Sequence, residues 1–172
     1  MTDRVVDYTA VARRLLHQES LPADGTAPLA QLLRSTEVRR LRAGAVLMHE
    51  GEPADELLVI ARGAVRVQLR DLHGRPTEVA LLEAPLLLGH IAIIDDGMRS
   101  ATCEMASTGL VLALARDRVE AVLTETSRGA EVMRELILAG MFRKLDQATE
   151  RLRDFVRAQP QDPVPVRSSE PE

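Results

Sequence analysis

Between about residues 36 and 115 the chain is cut by turn residues into short apolar segments, too short for helices and periodic in the manner of strands. Residues 64–70 (AVRVQLR) set the pattern. Val65, Val67 and Leu69 fall on one face and Arg66, Gln68 and Arg70 on the other, the two-residue period of a half-buried strand. The next residues, Asp71 to Arg75, hold His73-Gly74, which has the chemistry of a hairpin turn. Residues 101–105 (ATCEM) alternate again. Residues 110–115 (LVLALA) are apolar throughout and read as a fully buried strand. Several short strands at this spacing predict a sandwich or barrel.

The flanks have helical periods. Residues 4–17 place Val5, Tyr8, Val11, Ala12, Leu15 and Leu16 on one face. Residues 18–27 (QESLPADGTA) read as loop, and Pro28 opens a short helix with Leu29, Leu32 and Leu33. After Arg116 a short helix is predicted near 117–125 and a long one near 128–158. In the long helix Leu138, Met141, Leu145, Ala148, Leu152 and Phe155 are spaced 3, 4, 3, 4, 3, a heptad seam. Such a seam packs on a second copy of the helix or on the chain's own strands; a homodimer is the expected use. Residues 159–172, rich in Pro, Ser and Glu, are expected to be disordered.

Composition removes several function classes. The 172 residues suit one domain, and 45% apolar content supports a real core. A net charge of −4 argues against a nucleic-acid footprint and against an anionic membrane surface. Tyr8, Phe142 and Phe155 are the whole aromatic set, too few to stack single-stranded bases. Cys103 is the one cysteine, so no internal disulfide forms. A cytoplasmic setting is expected, with Cys103 a small core residue. The start lacks an apolar signal core and no window is long enough to span a membrane. His17, His49 and His73 have no metal-ligand spacing, and no catalytic constellation is present, so binding is expected rather than catalysis.

One stretch carries chemistry. Residues 86–105 (LLLGHIAIIDDGMRSATCEM) run from a strand-like segment through Gly89 into a short apolar turn, Ile91 to Ile94. Asp95-Asp96-Gly97 and then Arg99-Ser100 follow. Glycine admits a close backbone approach, the first N–H groups of a short helix face an anion, and an arginine fork grips phosphate oxygens. The alternative for Arg99 is a surface arginine or an ion-paired one, held by Asp95 or Asp96.

This stretch resembles the phosphate-binding cassette of cyclic-nucleotide-binding domains, which reads Gly-Glu-Leu-Ala-Leu, a short loop, then Pro-Arg-Ser-Ala. Here the residues are Gly89-His90-Ile91-Ala92-Ile93 and Met98-Arg99-Ser100-Ala101. Upstream, Gly51 to Ile60 and Arg62-Gly63-Ala64-Val65 resemble the family's glycine-bounded second and third strands, and Arg42 to Leu47 its opening strand. The resemblance covers about residues 28–158. It implies a mainly β fold: a jelly-roll-like β-roll, or double-stranded β-helix, flanked by N-terminal helices and a long C-terminal helix. The parts would be an N-terminal helix and loop (1–27), the roll (28–126), a dimerisation or lid helix (127–158) and the tail (159–172).

The same resemblance implies Gly89, His90, Ile91, Ala92, Arg99 and Ser100 as ligand-binding residues, with cAMP or cGMP as the ligand and no other cofactor. In the dimeric cAMP-receptor type a Thr-Ser pair on the long helix faces the purine, and Ala148-Thr149 holds that position, which adds Thr149. Two departures stand out. His90 replaces the glutamate that accepts the ribose 2′-hydroxyl, and Met98 replaces the proline. Losing a charge-assisted hydrogen bond costs about 1.5–3 kcal/mol. No helix-turn-helix is expected after the long helix, whose Arg143, Lys144, Arg151 and Arg153 are mixed with Asp146, Glu150 and Asp154. Two functions remain open. One is a sensor that binds a cyclic nucleotide or related phosphate ligand and signals to an unknown protein partner. The other is a degenerate domain used for interaction or assembly. Neither DNA nor membrane is an expected partner.

Overall fold

The computed structural model describes residues 6–94 and 97–158. Among the described residues, eight strands form two four-stranded antiparallel sheets. They are β1 (Glu37–Leu41), β2 (Val46–Met48), β3 (Glu56–Arg62), β4 (Ala64–Arg70), β5 (Pro76–Glu83), β6 (Leu86–Leu88), β7 (Thr102–Met105) and β8 (Gly109–Ala115). The first sheet has the order β1-β8-β3-β6 and the second β2-β7-β4-β5. Strand 1 pairs with 8, 2 with 7, 3 with 6 and 4 with 5, all antiparallel. This is the ladder of one long hairpin wrapped into a roll, so the jelly-roll-like β-roll expected from the sequence is the fold that forms.

The strands follow from their side chains. In β3, Leu58 and Ile60 point into the roll while Leu57 and Val59 point out to a helical layer, and all four are buried. In β8, Val111 and Ala113 face inward and Leu112 and Leu114 outward. Two packed faces explain the unbroken apolar runs. Only Ala115 of that segment, predicted buried, is exposed. The roll interior is completed by Met48, Val65, Leu88, Cys103 and Met105.

The helical layer consists of α1 (Tyr8–Gln18), α2 (Thr26–Leu33), α3 (His90–Ile94), α4 (Arg116–Thr124) and the start of α5 (Arg128–Ala158). Leu15, Leu16, Leu29, Leu33, Met133 and Leu136 pack there against the outward face of the first sheet. Helix α1 starts at Tyr8 because Asp7 caps it, its carboxylate accepting from the Ala10 N–H at 2.9 Å. The helix expected from residue 4 is therefore shorter; residues 4 and 5 lie outside the described residues. The expected loop 18–27 contains a 3-10 turn at Ala23–Gly25, and α2 begins two residues before Pro28. Proline fits there because first-turn N–H groups have no helical partner to lose.

The chain divides into two compact units between Met141 and Phe142. The second, described by itself, is helical to Ala158 and presents Phe142, Leu145, Leu152, Phe155 and Val156, each about 60% exposed. The tail from 159 lies outside the described residues. No helix among the described residues is long and apolar enough to cross a membrane.

Candidate functional site

Strand β6 ends at Gly89, whose φ of +79° is a left-handed conformation that other residues adopt at a cost. The turn launches α3. The Ile93 N–H bonds the Gly89 carbonyl at 3.3 Å, and the Gly97 N–H returns to the Ala92 carbonyl at 3.0 Å. Ala92 and Ile93 are buried in the helical layer, which fixes α3 from below. Ile91 is half-buried and Ser100 exposed.

Arg99 lies under this turn and is only 3% exposed. A Cβ on Gly89 would stand 2.3 Å from Arg99 Nη1, so only glycine admits the guanidinium so close to the backbone. Arg99 Nη2 donates to the Glu56 carbonyl at 2.7 Å and to the Asp55 carboxylate at 3.3 Å, and Nη1 donates to the Gly89 carbonyl at 3.4 Å. The Asp55 side chain is 87% exposed, so water screens that ion pair and the short bond to Glu56 is the firmer tie. Asp95 and Asp96, the partners that the sequence offers, lie outside the described residues. Asp55 is the described carboxylate at the guanidinium.

The main chain around Arg99 is equally fixed. Its N–H donates to the Glu52 carbonyl at 2.8 Å, and the Gly51 N–H donates to the Arg99 carbonyl at 2.9 Å. Pro53 and Met98 form an isolated bridge. Arg39 holds Glu56 by two bonds of 2.9 and 2.7 Å and Glu37 by one of 2.7 Å. The bond that Arg39 donates to Glu37, then those it donates to Glu56, raise the Arg39 pKa, and accepting from Arg39 lowers that of Glu37. On the other side Arg116 donates through Nε and Nη2 to the Ala54 carbonyl. Two arginines thus clamp the 51–56 segment, and a third, Arg99, sits at its end.

His90 is 2% exposed and turned towards α5. A Cβ on Gly140 would lie 3.3 Å from its Nε2, 3.6 Å from Cε1 and 3.8 Å from Cδ2. Thr149 belongs to the second unit, where its hydroxyl donates to the Leu145 carbonyl at 2.9 Å. Among the described residues no cluster of His, Cys, Asp or Glu is placed to hold a metal. A cavity of about 250 Å³ lies elsewhere, between α1 and the β3–β4 turn, lined by Asp7, Arg14, Arg62 and Pro85 among others.

Glycine turn, short helix and buried arginine stand here in the order of a phosphate cassette. Residues 38–126 match the family described as Cyclic nucleotide-binding domain. The chain belongs to the cyclic nucleotide-binding domain family. It is similar to a cyclic nucleotide-gated potassium channel of Mesorhizobium japonicum, 30% identical over 114 residues, covering 66% of this chain and 30% of the channel. It is 32% identical over 145 residues to the acetyltransferase Pat of Mycolicibacterium smegmatis, covering 83% of this chain and 38% of that one. The chain therefore spans about a third of the length of these relatives. Among solved structures, the Thermus thermophilus catabolite activator protein superposes with a TM-score of 0.68 at 25% identity, over 83% of this chain and 62% of that chain.

Within this cyclic nucleotide-binding domain, several residues escaped the sequence reading. Asp55, Glu56, Arg39 and Arg116 act through contacts with residues 17 to 62 positions away, which no local pattern marks. Gly140 did leave a signal, a glycine in the interior of a long helix.

Proposed function

We propose that this domain is a sensor: a cyclic nucleotide, or a ligand with similar phosphate chemistry, docks on the cassette from Gly89 to Ser100. The observation that carries this reading is the buried Arg99 guanidinium beside Gly89, in a turn whose open φ lets backbone and ligand approach closely. In the described arrangement Arg99 donates to main-chain carbonyls. Docking exchanges these bonds for charge-assisted ones to phosphate oxygens. Binding rather than catalysis is the proposed role. The readout runs through α5, and the exposed seam of Leu145, Ala148, Leu152 and Phe155, with Leu138 and Met141 ahead of it, takes a second copy.

A second reading is favoured by one observation. His90 holds the place of the ribose-binding glutamate and is packed towards Gly140, which suits a domain that keeps the roll for assembly and has given up the ligand. Calorimetric titration with cAMP, cGMP and cyclic dinucleotides separates the two. The sensor reading expects binding by one of them, weakened by about 2–4 kcal/mol in Arg99→Ala, because a buried phosphate loses its fork. No heat with any of them, or equal affinity in Arg99→Ala, overturns it.

A further inference from the structure

Glycine in a helix interior costs about 1 kcal/mol relative to alanine, so its presence at Gly140 needs a local reason. The structure supplies one. Gly140 is buried, and its bare backbone faces the His90 ring: a β-carbon there would stand 3.3 Å from Nε2, tighter than side chains usually pack, so the ring would have to give by a few tenths of an ångström. His90 is the first residue of α3, immediately after the Gly89 turn over Arg99. Leu136 and Ile137, one turn before Gly140, are buried in the same layer as Ala92 and Ile93 of α3. From cassette to helix the order is therefore Arg99, Gly89, His90, Gly140, each in contact with the next.

We infer that His90 is a positioning residue that keys the cassette onto α5 through Gly140, so that the two elements move as one. This rests on reading the cassette as the ligand site, and it names how that site is regulated. The imidazole packs so closely on the bare backbone that a β-carbon on α5 would press against it. A cassette that shifts to release Arg99 from Gly89 and Glu56 must carry His90 with it and unseat α5. The keyed state is thus the one in which Arg99 is withheld, and ligand binding draws on the unkeyed fraction.

The test is a cycle of His90→Ala, Gly140→Ala and the double variant. Relieved of the histidine, alanine at 140 gains its full helix preference. In the His90→Ala background it is expected to raise Tm by about 2–4 °C for a chain of this size. In the presence of His90 the rise should be less than half of that, or reversed. An equal rise in both backgrounds overturns the key. Hydrogen exchange supplies a readout that local packing alone would not move: His90→Ala should speed exchange of the 136–141 amides about tenfold, and Gly140→Leu should do the same at residues 89–94. Exchange that changes only on the substituted element also overturns it. If a nucleotide binds, His90→Ala should bind it several-fold tighter, and unchanged affinity refutes the link to Arg99. If none binds either protein, the sensor reading falls while the thermal cycle and the exchange still decide the key.

Discussion

The two sheets of the roll are built from the same number of strands and have opposite surroundings. The first, β1-β8-β3-β6, is packed on both faces at its centre, with the roll interior on one side and the helices on the other. The second, β2-β7-β4-β5, packs on one face only. Its outer face carries Arg66, which reaches Glu78 at 2.7 Å and Glu104 at 2.6 Å, and its edge strand β5 exposes seven of its eight residues. The cassette grows from the first sheet, at the end of β6. The contrast teaches where rigidity is placed. The Gly89 turn is mounted on a wall that cannot shift without opening two cores, whereas the outer sheet is backed by one core only.

Substitution tests that contrast directly. Leu112→Ala, in the two-sided sheet, should cost about 2–5 kcal/mol in denaturant unfolding. Leu81→Ala on β5, 57% exposed, should stay within about 0.5 kcal/mol. Similar losses at both positions would break the comparison. Gly89→Ala sharpens it at the seam between the wall and the turn that leads into α3. The positive φ and the displaced Arg99 should together cost about 1–3 kcal/mol, and chemical-shift changes should reach Glu56 and Asp55.

The same contrast recurs along α5. Val132, Met133, Leu136 and Ile137 are buried, whereas Leu145 and Leu152 are more than 60% exposed. Leu145→Asp with Leu152→Asp should leave the melting curve of a protomer nearly unchanged and convert dimers to monomers in light scattering. A wild type that is monomeric at tens of micromolar refutes the dimer. The smallest effect belongs to the hairpin at the far end of the outer sheet. The Arg75 N–H, then the His73 N–H, donate to the Asp71 carboxylate and hold its pKa below the usual range. A depressed carboxylate stabilises above its unfolded pKa of about 3.9 and stops doing so as pH falls through the folded value. Exchange of the 71–75 amides should therefore rise below pH 4 before the rest of the roll loosens, and Asp71→Asn should show the same rise at neutral pH.

How much of this was legible in the sequence follows from the same difference in surroundings. β4 was read to the residue because one of its faces meets water and its side chains alternate. β8 was read as a buried run because both faces are packed. α5 was read from 128 to 158 because its apolar period persists. The cassette was legible through Gly89 and Arg99, whose spacing matches a known turn. The carbonyl of Glu56, the carboxylate of Asp55 and the clamp of Arg116 were not, because they reach the turn only when strands distant in sequence are brought together. Gly140 was visible as an anomaly, but its partner His90, 50 residues earlier, was not. Pro28 marks the helix start two residues late: it tolerates a helix start before it as readily as at it.

The wrapped ladder also sets an order of assembly. Pairing β4 with β5 closes a turn of five residues, while pairing Glu37 of β1 with Ala113 of β8 closes the whole barrel sequence between them. Loop-closure entropy rises with the length enclosed, and topologies rich in distant pairings fold slowly, in milliseconds to seconds. The chain should zip from its middle outwards, with 4–5 before 3–6, then 2–7, and 1–8 last. Stopped-flow kinetics would then find that shortening Val65 slows folding, whereas shortening Leu112 mainly speeds unfolding. The cassette, which hangs between the sixth and seventh strands, takes shape in the second half of that sequence.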